Sequence, residues 1–562
     1  MLKTLNNWRY SACAALIAGG VLLSGAARAE DLGTLADFRL LDQTGFSHQA
    51  HRYVDLKALV IMAVPMRDDA LEENVAAFRE LAARLGAGDV HFFMMAPSPE
   101  PGKPGELSGG LPVLLDDAQV IMPTLGLDHA YECVVAETVN WNILYRGNLL
   151  SVDGAPGLEQ ALLGLSDGTM GPTAVAPSGR DLQFAPAPEH VDYEKDIAPI
   201  LAQRCVTCHS DGNAGPFAMS SHKKVQGWSS MMAETIRNGR MPPWNADPAY
   251  GHFANDNSLS VTEKRALLAW LDAGAPKDET EADPLPALQP KAAAEWKLGT
   301  PDYIVRLPEP QLVPADGLQD YRYYEVPLPK EAARWLRGAE VRPTAPGVVH
   351  HVLAFLSEPG RGVDLEGEYV ASYVPGHVPG FFPENTGKPL PEGSSILFQL
   401  HYTPNGRETV DESELGLFFY DSPPEHELFL GSAINRDFTV PPQDPDHVVT
   451  ADFRAKHDIL VYTLSPHMHY RGSRMYYEAQ YPDGRSEVLL SVPNYDFNWQ
   501  HTYALKEPKV LPKGTTVRVV GAFDNSVRNP LNPDPTQTLH WGDQSIEEMF
   551  IGSMLYRNLD EG

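Results

Sequence analysis

The residues with the clearest chemistry in this chain are Cys205-Val206-Thr207-Cys208-His209. Two thiols and a histidine in C-x-x-C-H order form the attachment sequence of a c-type haem. The thiols close thioether bonds to the porphyrin, and the imidazole takes one axial position on iron. Met241 follows in "GRMPPWNADP", a proline-rich stretch whose stiff backbone can hold a thioether as the sixth ligand. Met219, Met231, Met232, His222 and His252 are reserve candidates. A Met/His pair raises the potential and leaves no open iron position, so such a haem carries electrons rather than binding substrate.

A second set lies further on: His350-His351, His401, His467-Met468-His469 and Met549. His467 and His469 are two residues apart, so on a strand both imidazoles point to one face and can reach one metal. Adjacent His350 and His351 face opposite ways on a regular strand, so shared ligation needs a bulge or a twisted edge. Imidazole suits zinc, copper, iron and nickel, whereas a thioether selects Cu(I). Two histidines with a methionine therefore suit copper that cycles through Cu(I). Three histidines without a carboxylate suit a second copper, with zinc as the competing metal.

The elements that must hold these residues change character along the chain. "ALVIMAVP" (58–65), "DVHFFMMAP" (89–97), "LPVLLDD" (111–117) and "WNILYRGNLL" (141–150) read as strands, and "ALEENVAAFRELAARLG" (70–86) as a helix. This strand–helix–strand order over 30–165 predicts an α/β unit with a partly parallel sheet, and resembles the thioredoxin-like fold. The thiols expected after the first strand, in "AVPMRDD" (63–69), are absent. No proline stands in "AYECVVAE" (130–137), and Cys133 alone cannot run a dithiol cycle. The unit therefore reads as a scaffold or docking domain.

Residues 166–189 read as a Gly/Pro/Ala/Ser linker. Residues 190–277 carry helices before C-x-x-C-H, over 228–244 and over 262–274, an all-α layout resembling a class I cytochrome c. The Met241 stretch resembles the distal methionine loop of such domains. A second linker covers 278–296. Beyond it, short alternating strands such as "VVHHVLAFL" (348–356), "SILFQLHYT" (395–403) and "TVRVVGAFD" (516–524) predict two all-β, jelly-roll-type sandwiches, 297–422 and 423–562, dividing near "SPPEHE" (422–427).

"VVHHVLAFL", "FQLHYTPNG" (398–406), "SPHMHYRG" (465–472) and "EEMFIG" (547–552) occur in the order used by the copper type II, ascorbate-dependent monooxygenases. That family includes peptidylglycine α-hydroxylating monooxygenase and dopamine β-hydroxylase. The resemblance spans almost all of 297–562. It implies two sandwiches, each with one copper, separated by a solvent-filled cleft. His350, His351 and His401 would hold the electron-storing copper; His467, His469 and Met549 would hold the copper that binds O2 and attacks a C–H bond. Gln399 matches the family's glutamine two residues before the third histidine. Ser465 replaces the arginine, and Ser553 the tyrosine, with which the peptide-hydroxylating members hold a peptide carboxylate. Peptide amidation is therefore not implied. No cysteine lies in the β region, so the family's disulfides are missing. His377, His457 and His540 are additional histidines, not matched to ligands.

The start of the chain reads as a secretory signal over 1–29. Lys3 and Arg9 precede an apolar run from Ala12 to Leu23, and Ala27-Arg28-Ala29 is a small-x-small cleavage site. That run is too short to span a bilayer, and no later stretch approaches the length, so no membrane insertion is expected. The net charge of −30 argues against nucleic acid and anionic membranes and suits basic redox partners. Of four cysteines, Cys13 leaves with the signal and Cys133 has no partner. With no disulfide framework, stability must come from packed cores.

The sequence thus predicts a periplasmic copper monooxygenase that hydroxylates an organic substrate with O2, fed through a fused c-type haem and, upstream, an external redox partner. The alternative is a haem- and copper-bearing electron carrier or copper-binding protein without enzymatic activity.

Overall fold

The computed structural model describes residues 31–559 apart from 87, 170, 189, 281, 291–294, 358–367 and 377–378. The signal over 1–29 and His377 lie outside the described residues.

The first unit is built on a six-stranded sheet. Its order is Val113–Leu115, Val90–Ala96, Ala58–Ala63, Glu132–Glu137, Ile143–Asn148 and Thr173–Ala174. The first three strands run parallel; Glu132–Glu137 is antiparallel to Ala58–Ala63. The continuous apolar run of Ala58–Ala63 follows from burial on both faces. Leu59, Ile61 and Ala63 enter one core, and Ala58, Val60 and Met62 the other. Helix Leu71–Leu85 sends Val75, Phe78 and Leu81 into the latter. This is the thioredoxin-like arrangement. Cys133 is buried in the same core, and burial pushes its thiol well above the ordinary range.

The stretch 166–189 is not a free linker. Thr173–Ala174 adds a parallel edge strand beside Ile143–Asn148, and Leu182 is buried in the sheet's core. Its Gly/Pro/Ala/Ser composition lacks periodicity, yet backbone pairing needs none. The second linker is also partly tied down. Leu285 is fully buried among the helices, and Asp283 accepts hydrogen bonds from the Tyr193 hydroxyl and the His222 N–H.

Between them, the elements named in residues 190–277 are all helical: Tyr193–Ile197, Ala198–Arg204, His222–Gly227, Ser229–Arg237 and Val261–Asp272. The last begins at a capping box, Ser260 with Glu263.

The remainder is mainly β. Strands Arg322–Pro327, Ser395–Tyr402, Val349–Ser357 and Glu368–Tyr373 form one sheet, facing a five-stranded sheet across a shared apolar core. A second pair of four-stranded sheets follows from Phe429 and shares its own core. His426–Glu427 pairs with Thr386–Pro389, so the "SPPEHE" stretch closes the first pair of sheets rather than opening the second.

The helical segment is fastened to the second pair by backbone. Ala254 N–H donates to Ala504 O and Lys506 N–H to His252 O, each at 2.8 Å, around a Phe253–Leu505 bridge. Phe253 itself sits in that core. No helix of the described residues is long and apolar enough to cross a membrane.

Candidate metal and haem sites

The His350-His351 pair lies on strand Val349–Ser357, where the register slips. Val349 pairs with Tyr402, and His351 with His401, so His350 is the extra residue of a bulge. The bulge removes the alternation that would send the two imidazoles to opposite faces. One ring nitrogen from each of His350, His351 and His401 lies within 4.8 Å of the others, and all three residues are buried.

The tautomers are set by neighbouring oxygens. His351 Nε2–H donates to Gln399 Oε1 at 3.1 Å, so its Nδ1 carries the lone pair, 3.3 Å from His350 Nδ1. Gln399 is itself oriented by donation from its Nε2 to the Tyr323 hydroxyl. Burial holds His350 down to about 4 and His401 to about 3, with His350 adding to the effect on His401. These rings stay neutral, as ligation requires.

His467 and His469 project from the end of strand Ile459–His467, with ring centroids 5.2 Å apart. His467 Nδ1–H donates to Gln500 Oε1 at 2.6 Å; His469 Nδ1–H donates to the Glu547 carbonyl at 3.2 Å. Both bonds leave Nε2 as the free lone pair. Met549 is buried just past Glu548, whose carboxylate accepts from the His469 N–H. The antiparallel register ends at His467–Ile551, and Met549 lies two residues before Ile551. Burial pushes the Glu548 carboxyl up to about 8.

Does this donor set fit a metal? His401 Nδ1 and His469 Nε2 are buried and, among the described residues, have no hydrogen-bond partner. A buried polar atom left unpaired costs about 1–3 kcal/mol. Convergent neutral imidazole lone pairs held by oxygen acceptors are what a soft or borderline cation needs. The residues fit.

The two histidine sets are close together. Phe497 stacks on His350 at 4.7 Å and stands 6.0 Å from His469. The Tyr321 ring lies 4.7 Å from His401 and 6.4 Å from His469, and its hydroxyl accepts from Ser545 across the junction at 2.8 Å. Phe497 and Tyr321 each approach both sets, where the resemblance implied a solvent-filled cleft.

Around C-x-x-C-H, His209 Nδ1–H donates to the Phe217 carbonyl at 3.0 Å and leaves Nε2 free. Gly215 is required there, since a Cβ would sit 2.8 Å from both the Cys208 carbonyl and the His209 ring. Cys205 and Cys208 form no disulfide, and burial raises both thiols. Met241 is half-buried on the loop after helix Ser229–Arg237, its N–H held by the Thr235 carbonyl at 3.0 Å.

The crevice touches the β region. A Cβ built on Gly376, which has φ +84°, would lie 3.9 Å from both Cys208 Sγ and His501 Cε1. Sequence reasoning missed Gln500, His501, Phe497 and Tyr321, which lie in no pattern of spacing. Ser465 and Ser553, at the family's carboxylate-binding positions, are direct register partners. Ser432 joins Ser553 at 3.0 Å, and Ser465 donates to Thr502 at 3.0 Å.

No protein-family model and no curated protein matches this chain. Solved structures match parts of it. A hypothetical protein from Sinorhizobium meliloti 1021 is 17% identical over 27% of this chain and 93% of its own, with a TM-score of 0.24. A peroxidoxin from Mycobacterium tuberculosis is 18% identical over 24% and 95%, at 0.21. A lipoprotein thioredoxin from Streptococcus pneumoniae strain TIGR4 is 15% identical over 23% and 98%, at 0.20. Scores this low carry no argument; the thioredoxin-like arrangement rests on the sheet order itself.

Proposed function

We propose that this protein is an exported, copper-dependent monooxygenase whose electrons arrive through a c-type haem carried on its own helical segment. The observation that supports it most is the shared arrangement of His351, His467 and His469. Each gives one ring N–H to an oxygen and keeps the other nitrogen's lone pair, as metal-ligating histidines do.

In this reading His350, His351 and His401 hold one copper, and His467, His469 and Met549 the other. Cys205 and Cys208 attach the haem, with His209 and Met241 as its axial ligands. Copper in such sites supplies one-electron chemistry and activation of O2 toward a C–H bond. The net reaction takes O2, two electrons and two protons, puts one oxygen atom into the C–H bond and releases the other as water. Gln399 and Gln500 orient imidazoles. Phe497 and Tyr321 keep water from the space between the sets. Ser432, Ser465, Ser553 and Thr502 give the face shared with His467 a neutral hydroxyl lining, which suits an uncharged substrate better than a peptide carboxylate.

Metal analysis with copper EPR on the haem-loaded protein tests the cofactor plan, two coppers and one iron being the expected result. Zinc in their place, or less than one copper per chain, defeats it. Incubation of reduced protein with O2 and uncharged candidate substrates should yield hydroxylated product. The electron-carrier reading draws support from the rings that approach both sets. It predicts slow O2 uptake and fast exchange with other cytochromes.

A further inference from the structure

Within residues 497–501 the second β unit contacts both histidine sets and approaches Cys208. Phe497 stacks on His350, centroids 4.7 Å apart. Gln500 Oε1 accepts from His467 Nδ1 at 2.6 Å. His501 faces the C-x-x-C-H crevice, sharing the space beside Gly376 with Cys208 Sγ. The Trp244 ring, three residues past Met241, lies 5.9 Å from the His501 ring. His501 is thus approached from the Cys208 side and from the Met241 loop. The backbone hydrogen bonds around Phe253 hold this arrangement closed, so no domain movement is needed to bring the crevice to the β region.

We propose that the Phe497–His501 segment is the internal electron conduit, loaded at His501 and delivering through Gln500 to His467. The inference rests on the haem and copper reading above. The step oxidises ferrous haem to ferric and reduces Cu(II) to Cu(I) with one electron; no bond forms or breaks. A rival route runs from Tyr373, whose strand pairs with Val352 beside His351. It ends on backbone, whereas the Gln500 route ends in a short hydrogen bond on the imidazole itself, opposite the nitrogen left for metal.

The test uses the full chain loaded with haem and copper, kept free of O2, with the haem photoreduced by a sacrificial donor. Haem reoxidation is followed in the visible spectrum and Cu(II) loss by EPR. His501→Leu and Gln500→Leu should each slow transfer about tenfold or more, equivalent to about 1.4 kcal/mol on the barrier. Haem potential should stay at the parent value, and Tyr373→Leu should transfer at the parent rate. Should Gln500→Leu lose copper, His501→Leu, which removes no residue assigned to hold haem or copper, carries the decision. A His501→Leu rate equal to the parent's, or a drop in Tyr373→Leu instead, overturns the proposal while leaving the cofactor reading intact. A parent protein that binds no copper overturns both.

Discussion

Phe497, from the second pair of sheets, stacks on His350, from the first, with ring planes 18° apart. The bulged histidine is therefore buried by a residue of the other β unit, and its site is complete only when the two are joined. Phe497→Ala should destabilise the protein by about 3–5 kcal/mol, as for other buried phenylalanines. It should also weaken copper retention at His350, His351 and His401 more than at His467 and His469. Denaturant titration and copper stoichiometry after dialysis check this; full retention of both coppers would count against it.

The two histidine sets should empty separately. His401→Ala should leave one copper per chain, bound at the His467 set, and Met549→Leu should spare the His350 set. Site-resolved EPR distinguishes the outcomes. Loss of both coppers from either single change would mean one shared centre.

Arg39 of the thioredoxin-like unit donates to the Gly239 carbonyl at 2.6 Å, two residues before Met241. Burial lowers this guanidinium to about 10, yet it remains charged at neutral pH. Under the proposed function, this hydrogen bond would let the thioredoxin-like unit brace the loop that carries Met241. Arg39→Met should shift the haem potential and change the haem spectrum, with covalent attachment at Cys205 and Cys208 intact. An unchanged potential would remove that role.

His91 gives a pH dependence remote from any assigned ligand. Burial, then the charges of His48 and Arg528, lower it to about 4. An unfolded histidine titrates near about 6.5. Between these values the unfolded chain binds a proton that the folded chain refuses. Stability from this group is complete above the upper value and is lost as pH falls toward the lower one. His91→Phe, which can keep the ring contacts with Tyr53 and Phe93, should flatten the stability profile over that window. Thermal melts from pH 7 to pH 4 measure it.

Much of the architecture was legible because it is written in local pattern. The apolar run at Ala58–Ala63 and the helical stretch over 262–274 each specify an element from nearest neighbours alone. Pairing of the 173–182 stretch was not legible, since an edge strand that contributes only backbone carries no hydrophobic signature. The need for a bulge at His350 followed from adjacency. That the bulge is there is a matter of register with His401.

The order of side chains by itself determined which residues can bind: Cys205, Cys208 and His209, the six residues from His350 to Met549, and the missing thiols after the first strand. These are facts of chemical type and short spacing. Tertiary structure alone decided what lies between them. It set Phe497 and Tyr321 beside both histidine sets, brought Gln500 against His467 and His501 toward Cys208, and fastened the helical segment to the β region by backbone. Such relations depend on contacts between residues from about thirty to more than two hundred positions apart, which no local periodicity encodes.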